Sequence, residues 1–100
     1  MVDDRPPLFL GVNLQGFGQR PASWRTQEGI TGREQTTPAF WRELGRQAER
    51  ALIDVGFFAD HPAATDPNVR PLGLIEPFVA LGEIAQATTH LGLVGSAATT

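Results

Sequence analysis

The alternation of three short apolar runs with two stretches of helical periodicity constrains this chain most. The runs cover residues 8–14, 55–60 and 91–98, and each is apolar almost throughout rather than at every second position. Continuous apolar runs of this length are typical of strands buried on both faces of a parallel sheet. Parallel strands need crossover connections, which the helical stretches supply. The order β-α-β-α-β therefore predicts an α/β fold with parallel strands.

Both helical stretches carry a start signal and one apolar face. Thr37 is a good N-cap residue and Pro38 suits the first helical position. The second helix is predicted to begin near Glu76 and Pro77 and to close near Thr89. The predicted core-facing residues of the first helix are Phe40, Leu44, Ala48 and Leu52, with Trp41 and Ala51 widening that face; those of the second are Phe78, Leu81, Ile84, Ala85 and Thr88. The charged residues of the first helix, Arg42, Glu43, Arg46, Glu49 and Arg50, are interpreted as a solvated face.

The sheet implied by these elements is small and open. Three parallel strands leave an edge strand exposed, and the third apolar run lies at the end of the 100 residues. We therefore expect residues 1–100 to be the N-terminal part of a single larger α/β domain. No domain boundary is predicted within them.

Composition excludes several functional classes. Eight Arg and no Lys face eleven acidic residues, and the net charge of -3 gives no basic field for nucleic acid. Cysteine is absent, which excludes a disulfide framework, a thiolate zinc site and a Cys nucleophile. No apolar run approaches the length of a membrane-spanning helix. The first seven residues are acidic and polar rather than basic and then apolar, so we expect a cytoplasmic protein.

Polar residues follow each predicted strand, at the edge where α/β folds bind ligands. The carboxylate of Asp60 could accept hydrogen bonds from a polar ligand edge, or Asp60 could be an ordinary turn residue before Pro62. His61 could act as a base, but no cluster of further ligands accompanies it and no metal site is predicted. Other candidates are Asn13 and Gln15 after the first run, Ser96, Thr99 and Thr100 after the third, and Trp24, which could stack on a flat ligand or pack in a core.

Several short motifs together resemble a known family. In chain order they are Gln15-Gly16-Phe17-Gly18, Ala22-Ser23-Trp24-Arg25, Ala48-Glu49-Arg50, Phe57-Phe58-Ala59-Asp60, Ile75-Glu76-Pro77 and Ala98-Thr99-Thr100. Their order and spacing are similar to those of the bacterial luciferase-like flavin-dependent monooxygenases. The branch that they resemble most contains the nitrilotriacetate, dibenzothiophene-sulfone and pristinamycin-type monooxygenases. The resemblance covers the chain from about residue 8 to residue 100.

The resemblance implies a fold, a cofactor and partners. It implies that the chain is the N-terminal β-α-β-α-β portion of a (β/α)₈ TIM barrel, a fold that needs about 250 residues. It also implies reduced FMN supplied by a separate NAD(P)H:flavin reductase, O₂ as co-substrate, and a small organic compound as substrate. Asp60 and either Thr99 or Thr100 are then expected to contact the flavin. The substrate-loop candidates are Asn13, Gln15, Trp24 and His61, and no catalytic residue is assigned.

Other interpretations stay open on the sequence. The chain could be a truncated, non-catalytic piece, or a fragment that a partner chain completes to a barrel. A deazaflavin-dependent oxidoreductase of the same superfamily is a further alternative, although the Trp24-Arg25 loop and the Thr99-Thr100 ending resemble the FMN branch more closely. A small flavodoxin-like binding domain is weaker, because no phosphate loop follows the first strand. A homo-oligomer is also left open.

Overall fold

The computed structural model describes residues 4–14, 34–60 and 75–97. The strand and helix order confirms the predicted β-α-β-α-β alternation, although each strand is shorter than the apolar run that predicts it. The elements are β1 (Gly11–Asn13), a 3₁₀ helix (Glu34–Thr36), α1 (Pro38–Arg50), β2 (Val55–Phe58), α2 (Pro77–Ala87) and β3 (Gly92–Gly95). Thr37 is the N-cap of α1 and Glu76 that of α2, with a proline following each, as predicted.

The three strands form one parallel sheet in the order β1-β2-β3. Asn13 of β1 pairs with Phe57 of β2, and Phe58 pairs with Gly95 of β3. Both helices contribute to one hydrophobic core and contact each other, so they lie on the same face of the sheet. A flavodoxin-like sheet would instead place its first strand between the second and the third. Sequential order with helices on one face is the arrangement of a (β/α)₈ barrel, and the flavodoxin-like alternative is wrong.

The core lies between the helix layer and one face of the sheet. Trp41 is its centre, with only 1% of its surface exposed. Its ring contacts that of Phe58 with centroids 4.7 Å apart, and its Nε1 donates to the backbone oxygen of Gln35 at 2.7 Å. The buried apolar residues are Leu14, Trp41, Ala48, Phe58, Ala80, Leu81, Ile84 and Leu91. Trp41 therefore joins the start of α1 to the end of β2.

Gly45 allows the two helices to approach closely. A Cβ placed on Gly45 would lie 2.6 Å from Cγ2 of Ile84, a distance that real side chains do not tolerate. Because Ile84 is fully buried, it has little room to move away. The absence of a side chain at Gly45 thus sets the spacing between α1 and α2.

Helix α1 ends earlier than the predicted apolar face, so the prediction that Leu52 faces the core is wrong. The helix stops at Arg50, and Leu52 lies beyond it with 82% of its surface exposed and a φ of 59°. The backbone N–H groups of Leu52 and Ile53 donate to the carbonyl oxygens of Glu49 and Ala48, each at 3.1 Å. This pair of hydrogen bonds is the Schellman motif, in which a left-handed residue ends the helix. Periodicity alone extended the helix too far because Leu52 happens to continue the four-residue spacing.

The buried face of α2 also differs from the prediction. Phe78 is exposed, together with Val79, whereas Pro77, Ala80, Leu81 and Ile84 are buried. Small residues on the buried side let α2 lie close to α1 and the sheet. Ala85 is exposed as well, so the predicted face is rotated from the observed one.

The first apolar run is only partly a strand. Leu8, Phe9 and Leu10 are exposed, and ladder pairing begins at Gly11. The expectation of a strand buried on both faces is wrong here, because Gly11 and Asn13, on one face of β1, are exposed. Leu10 nevertheless joins the sheet through its main chain: its N–H donates to Oδ2 of Asp54 at 2.8 Å, and its carbonyl oxygen accepts from the backbone of Asp54 and Val55.

The side chain of Glu49 in α1 binds the main chain at the amino-terminal end of β3. Its carboxylate accepts hydrogen bonds from the backbone N–H groups of Thr89, His90 and Leu91, at distances from 2.6 to 3.0 Å. These groups immediately precede β3, so α1 holds the entry to that strand. The N–H of His90 above all, then those of Leu91 and Thr89, hold the pKa of Glu49 below its usual range. Glu49 is thus a structural anchor as well as a partly exposed side chain, and the sequence analysis did not predict the anchoring contact.

Candidate functional site

The carboxyl ends of the strands meet at one edge of the sheet. The N–H of Leu14 donates to the carbonyl oxygen of Phe57 at 2.7 Å, and the N–H of Ser96 donates to that of Phe58 at 3.1 Å. These bonds continue the parallel ladders one residue beyond β1 and β3. They bring Asn13, Asp60 and Ser96, which follow or end the three strands, to the same edge.

Asp60 and Ser96 are joined directly. The backbone N–H of Asp60 donates to Oγ of Ser96 at 2.9 Å, and both residues are half-buried. This hydrogen bond fixes the main chain at Asp60 against the end of β3. It uses the Ser96 oxygen as an acceptor, so the hydroxyl hydrogen can still be donated to another group. Ser96 was placed at this edge by the sequence, but its role in holding Asp60 was not predicted.

Asn13 lies on the face of the sheet that the helices do not cover. It pairs in register with Phe57, which pairs in turn with Val94, so the three side chains share one face of the sheet. The next residues along the strands, Leu14 and Phe58, lie on the other face and are buried against the helices. Asn13 and Val94 are both exposed. In a (β/α)₈ barrel this face of the strands lines the interior, and its carboxyl end opens toward the active site.

Five of the predicted site residues lie outside the described part of the chain. They are Gln15, Trp24, His61, Thr99 and Thr100. Their roles therefore stay predictions. Asn13 and Asp60 are described, and the parallel sheet brings them to a common edge.

Gln35 is a buried polar residue that the sequence analysis did not select. Only 4% of its surface is exposed, and its Nε2 atom has no hydrogen-bond partner within the described residues. It lies in the 3₁₀ helix just before α1. A polar residue before a helix start is common, so nothing in the sequence marked this one as buried.

Two other properties bear on the kind of site. Across residues 4–14, 34–60 and 75–97, no group of three or more His, Cys, Asp or Glu side chains is arranged to hold a metal ion. In those same ranges, neither helix combines the length and the apolar character required to cross a membrane.

Two curated monooxygenases are similar to this chain, whereas no family model matches it. The chain is 36% identical over 103 residues to N-acetyl-S-(2-succino)cysteine monooxygenase of Bacillus subtilis, covering 100% of this chain and 23% of that protein. It is 33% identical over 106 residues to nitrilotriacetate monooxygenase component A of Aminobacter aminovorans, covering 93% of this chain and 23% of that protein.

The match and the fold agree. The chain spans 23% of the length of each of these relatives, and its sheet has the strand order and one-sided helix layer of part of a (β/α)₈ barrel. The resemblance seen in the motifs is therefore confirmed by relatives of the expected branch. The chain is therefore similar to part of the monooxygenases of the branch that includes nitrilotriacetate monooxygenase component A.

Proposed function

We propose that this chain forms part of the flavin site of an FMN-dependent monooxygenase that uses O₂ to oxidise a small organic compound. The observation that carries the proposal is the Asp60–Ser96 hydrogen bond at the carboxyl edge of the sheet, because it orders a carboxylate-bearing residue where such folds bind ligands. Two relatives named as monooxygenases support the reaction class. The words "component A" in one of those names support a separate reductase partner.

The residues at this edge fit the polar side of a flavin ring. Asp60 offers a carboxylate that can accept from a ring N–H, while Ser96 and Asn13 offer hydroxyl and amide donors for ring carbonyl oxygens. Thr99 or Thr100 would add a further hydroxyl. Bound reduced FMN would supply the oxygen chemistry. The chain would bind and orient the ring, and its apolar strand ends would exclude water from it.

The substrate class can be narrowed by the relatives. Both are named for compounds that bear several carboxylate groups, nitrilotriacetate and N-acetyl-S-(2-succino)cysteine. We extend this to a small polycarboxylate as the substrate here. Such a molecule would need hydrogen-bond donors around the site, and guanidinium and amide groups are the donors that suit carboxylates best.

A barrel fragment that needs further chain for activity is the second candidate. The exposed apolar residues Leu8, Phe9, Phe78, Val79 and Val94 favour it. In a complete barrel, further strands and helices would cover such residues. On this interpretation the 100 residues carry the flavin contacts but do not turn over substrate by themselves.

Flavin titration of matched variants tests the proposal. Asp60→Ala should weaken FMN binding by about tenfold or more, since a buried ring N–H would lose its charged acceptor. Glu43→Ala, which removes an exposed carboxylate from α1, should leave the affinity unchanged. Both variants should keep the wild-type far-ultraviolet circular dichroism. Equal FMN affinity in wild type and Asp60→Ala would remove Asp60 from the site.

The fragment interpretation makes its own prediction for FMN binding and turnover by the isolated chain. If the chain binds FMN only after addition of a separately produced segment that corresponds to the remainder of a relative, then the fragment interpretation is right. If it binds FMN alone and oxidises a polycarboxylate in the presence of a flavin reductase, NADH and O₂, then the fragment interpretation is wrong.

A further inference from the structure

Gly95 ends β3 on the face of the sheet that the helices cover. It pairs in register with Phe58, whose buried ring contacts α1. A Cβ placed on Gly95 would lie 2.7 Å from Cδ1 of Leu81 and 3.2 Å from Cε1 of Phe78, so two side chains of α2 already fill the space where a side chain would start. The beginning of α2 therefore rests directly on the main chain at the end of β3.

This contact gives the exposed ring of Phe78 a place in the fold. The ring is 54% exposed, and the atoms of its tip, Cε1 and Cζ, are the ones that approach Gly95. Leu81 lies one turn further along α2 and is only 7% exposed. Because Leu81 is enclosed by the core, it has little room to move aside for a larger residue at position 95.

The same stretch of main chain carries the hydrogen bonds of the carboxyl edge. Ser96 directly follows Gly95, and its N–H donates to the carbonyl oxygen of Phe58 at 3.1 Å. Its Oγ accepts from the N–H of Asp60 at 2.9 Å. A displacement of Gly95 away from α2 would carry the Ser96 hydroxyl with it, and a hydrogen bond weakens steeply as its distance and angle depart from the optimum.

We propose that Gly95 is a positioning residue of the flavin site. Because it has no side chain, α2 can close on the end of β3, and this contact sets the place of the Ser96 hydroxyl opposite Asp60. Gly95 faces the helices and acts on the ligand only through these two neighbours. The inference rests on the proposed function, and it extends the site from the residues of the edge to the helix contact behind them.

Hydrogen exchange without ligand tests the positioning role. Gly95→Ala should push the end of β3 away from α2, so the Asp60 amide should exchange about tenfold faster than in the wild type, as expected for one weakened hydrogen bond. Gly45→Ala is the matched control, since its Cβ would lie 2.6 Å from Ile84 of the same helix but on the α1 side. It should lower the Tm and leave exchange at Asp60 unchanged, because amides at a sheet edge exchange by local opening. Unchanged exchange in Gly95→Ala, or an equal increase in both variants, would overturn the proposal.

A second substitution separates positioning from a general loss of packing. Leu81→Ala removes the Cδ1 atom that the new Cβ would meet, so β3 can return to its place in the double variant with Gly95→Ala. Protection of the Asp60 amide should recover, although the Tm should fall because a buried leucine is lost. A double variant whose Asp60 amide still exchanges as fast as in Gly95→Ala would contradict the role of this contact.

Titration with oxidised FMN connects the contact to the ligand. The affinity should fall by about tenfold in Gly95→Ala, recover in the double variant and stay at the wild-type value in Gly45→Ala. Wild-type affinity in Gly95→Ala would overturn the role of Gly95 in the flavin site and leave the proposed function standing. A wild-type chain that does not bind FMN would overturn the proposed function, whereas exchange at Asp60 would still decide whether Gly95 positions Ser96.

Discussion

The carboxylate of Glu49 lies 2.6 Å from the backbone nitrogen of His90, although 41 residues separate them in sequence. The same carboxylate also accepts from the N–H groups of Thr89 and Leu91. Three main-chain donors converge on one side chain, so its ionised form is stabilised in the fold and its pKa is lowered. The end of α1 and the start of β3 are held together by this contact.

Stability should therefore fall in acid as Glu49 is protonated. Because the folded-state pKa of Glu49 lies below its unfolded value, its contribution is fully present above the unfolded pKa and is lost as pH falls through the folded pKa. Glu49→Gln should have a lower Tm than the wild type at neutral pH, and the difference should shrink in acid. Thermal unfolding of both proteins between about pH 7 and about pH 3 measures this.

A matched change elsewhere provides the control for Glu49. Glu83→Gln removes a carboxylate that pairs with Arg42 at 3.0 Å rather than with the main chain. Its Tm should stay close to that of the wild type, because partly exposed ion pairs contribute little. A Tm difference between wild type and Glu49→Gln that stays constant across the whole pH range would contradict the anchoring role.

Replacing a glycine by alanine should change the free energy of unfolding in opposite directions at Gly45 of α1 and Gly82 of α2. Gly45→Ala should lower the free energy of unfolding by about 1 kcal/mol or more, because its Cβ would lie 2.6 Å from Cγ2 of Ile84. Gly82→Ala should raise it by about 1 kcal/mol, since a Cβ there meets nothing within 4 Å and alanine favours helix. Urea unfolding of both variants tests the pair, and a change of the same sign in both would refute the close approach at Gly45.

Leu52→Gly should stabilise the chain. Leucine is strained at a φ of 59°, glycine is not, and the exposed side chain contributes little packing. We expect a gain of about 0.5–1 kcal/mol in the free energy of unfolding. Leu52→Ala shortens the side chain but keeps the Cβ, and should show no such gain. Equal stability of the glycine and alanine variants in chemical denaturation would argue against strain at this position.

Ser96→Ala should loosen the Asp60 main chain. The variant leaves the half-buried N–H of Asp60 without its acceptor, which should cost about 1 kcal/mol of stability. Under the proposed function it should also weaken FMN binding, whereas Ser96→Thr keeps a hydroxyl and should bind like the wild type. Hydrogen exchange at the Asp60 amide provides a direct measurement. Unchanged protection of that amide in Ser96→Ala would show that the bond does not hold this segment.

The order and pairing of the elements could be predicted because they depend on local patterns. Apolar runs mark strands, and Thr37-Pro38 and Glu76-Pro77 mark the helix starts that the structure contains. The ends and faces of the helices were harder to predict. Leu52 and Phe78 fit the helical period as well as buried residues do, and which side of each helix faces inward depends on tertiary packing such as the close approach of Gly45 to Ile84.

The candidate site was predictable to a smaller extent. The convergence of Asn13 and Asp60 follows from parallel strands alone. The contacts of Glu49 and Ser96 could not be predicted, because they join a side chain to main-chain groups 36 or more residues away, and such groups carry no sequence signal. The burial of Gln35 likewise depends on tertiary packing around Trp41.

The hydrogen bonds of Asp54 and Glu49 have a consequence for how such a protein can change over evolutionary time. Both carboxylates hold strand entries, at the edge of the sheet opposite Asp60 and Ser96. Substitutions at the Asp60–Ser96 edge therefore need not disturb the groups that hold the strand entries. Related enzymes could acquire new substrates while this opposite edge stays the same, and the two relatives, at 36% and 33% identity, are indeed named for different compounds.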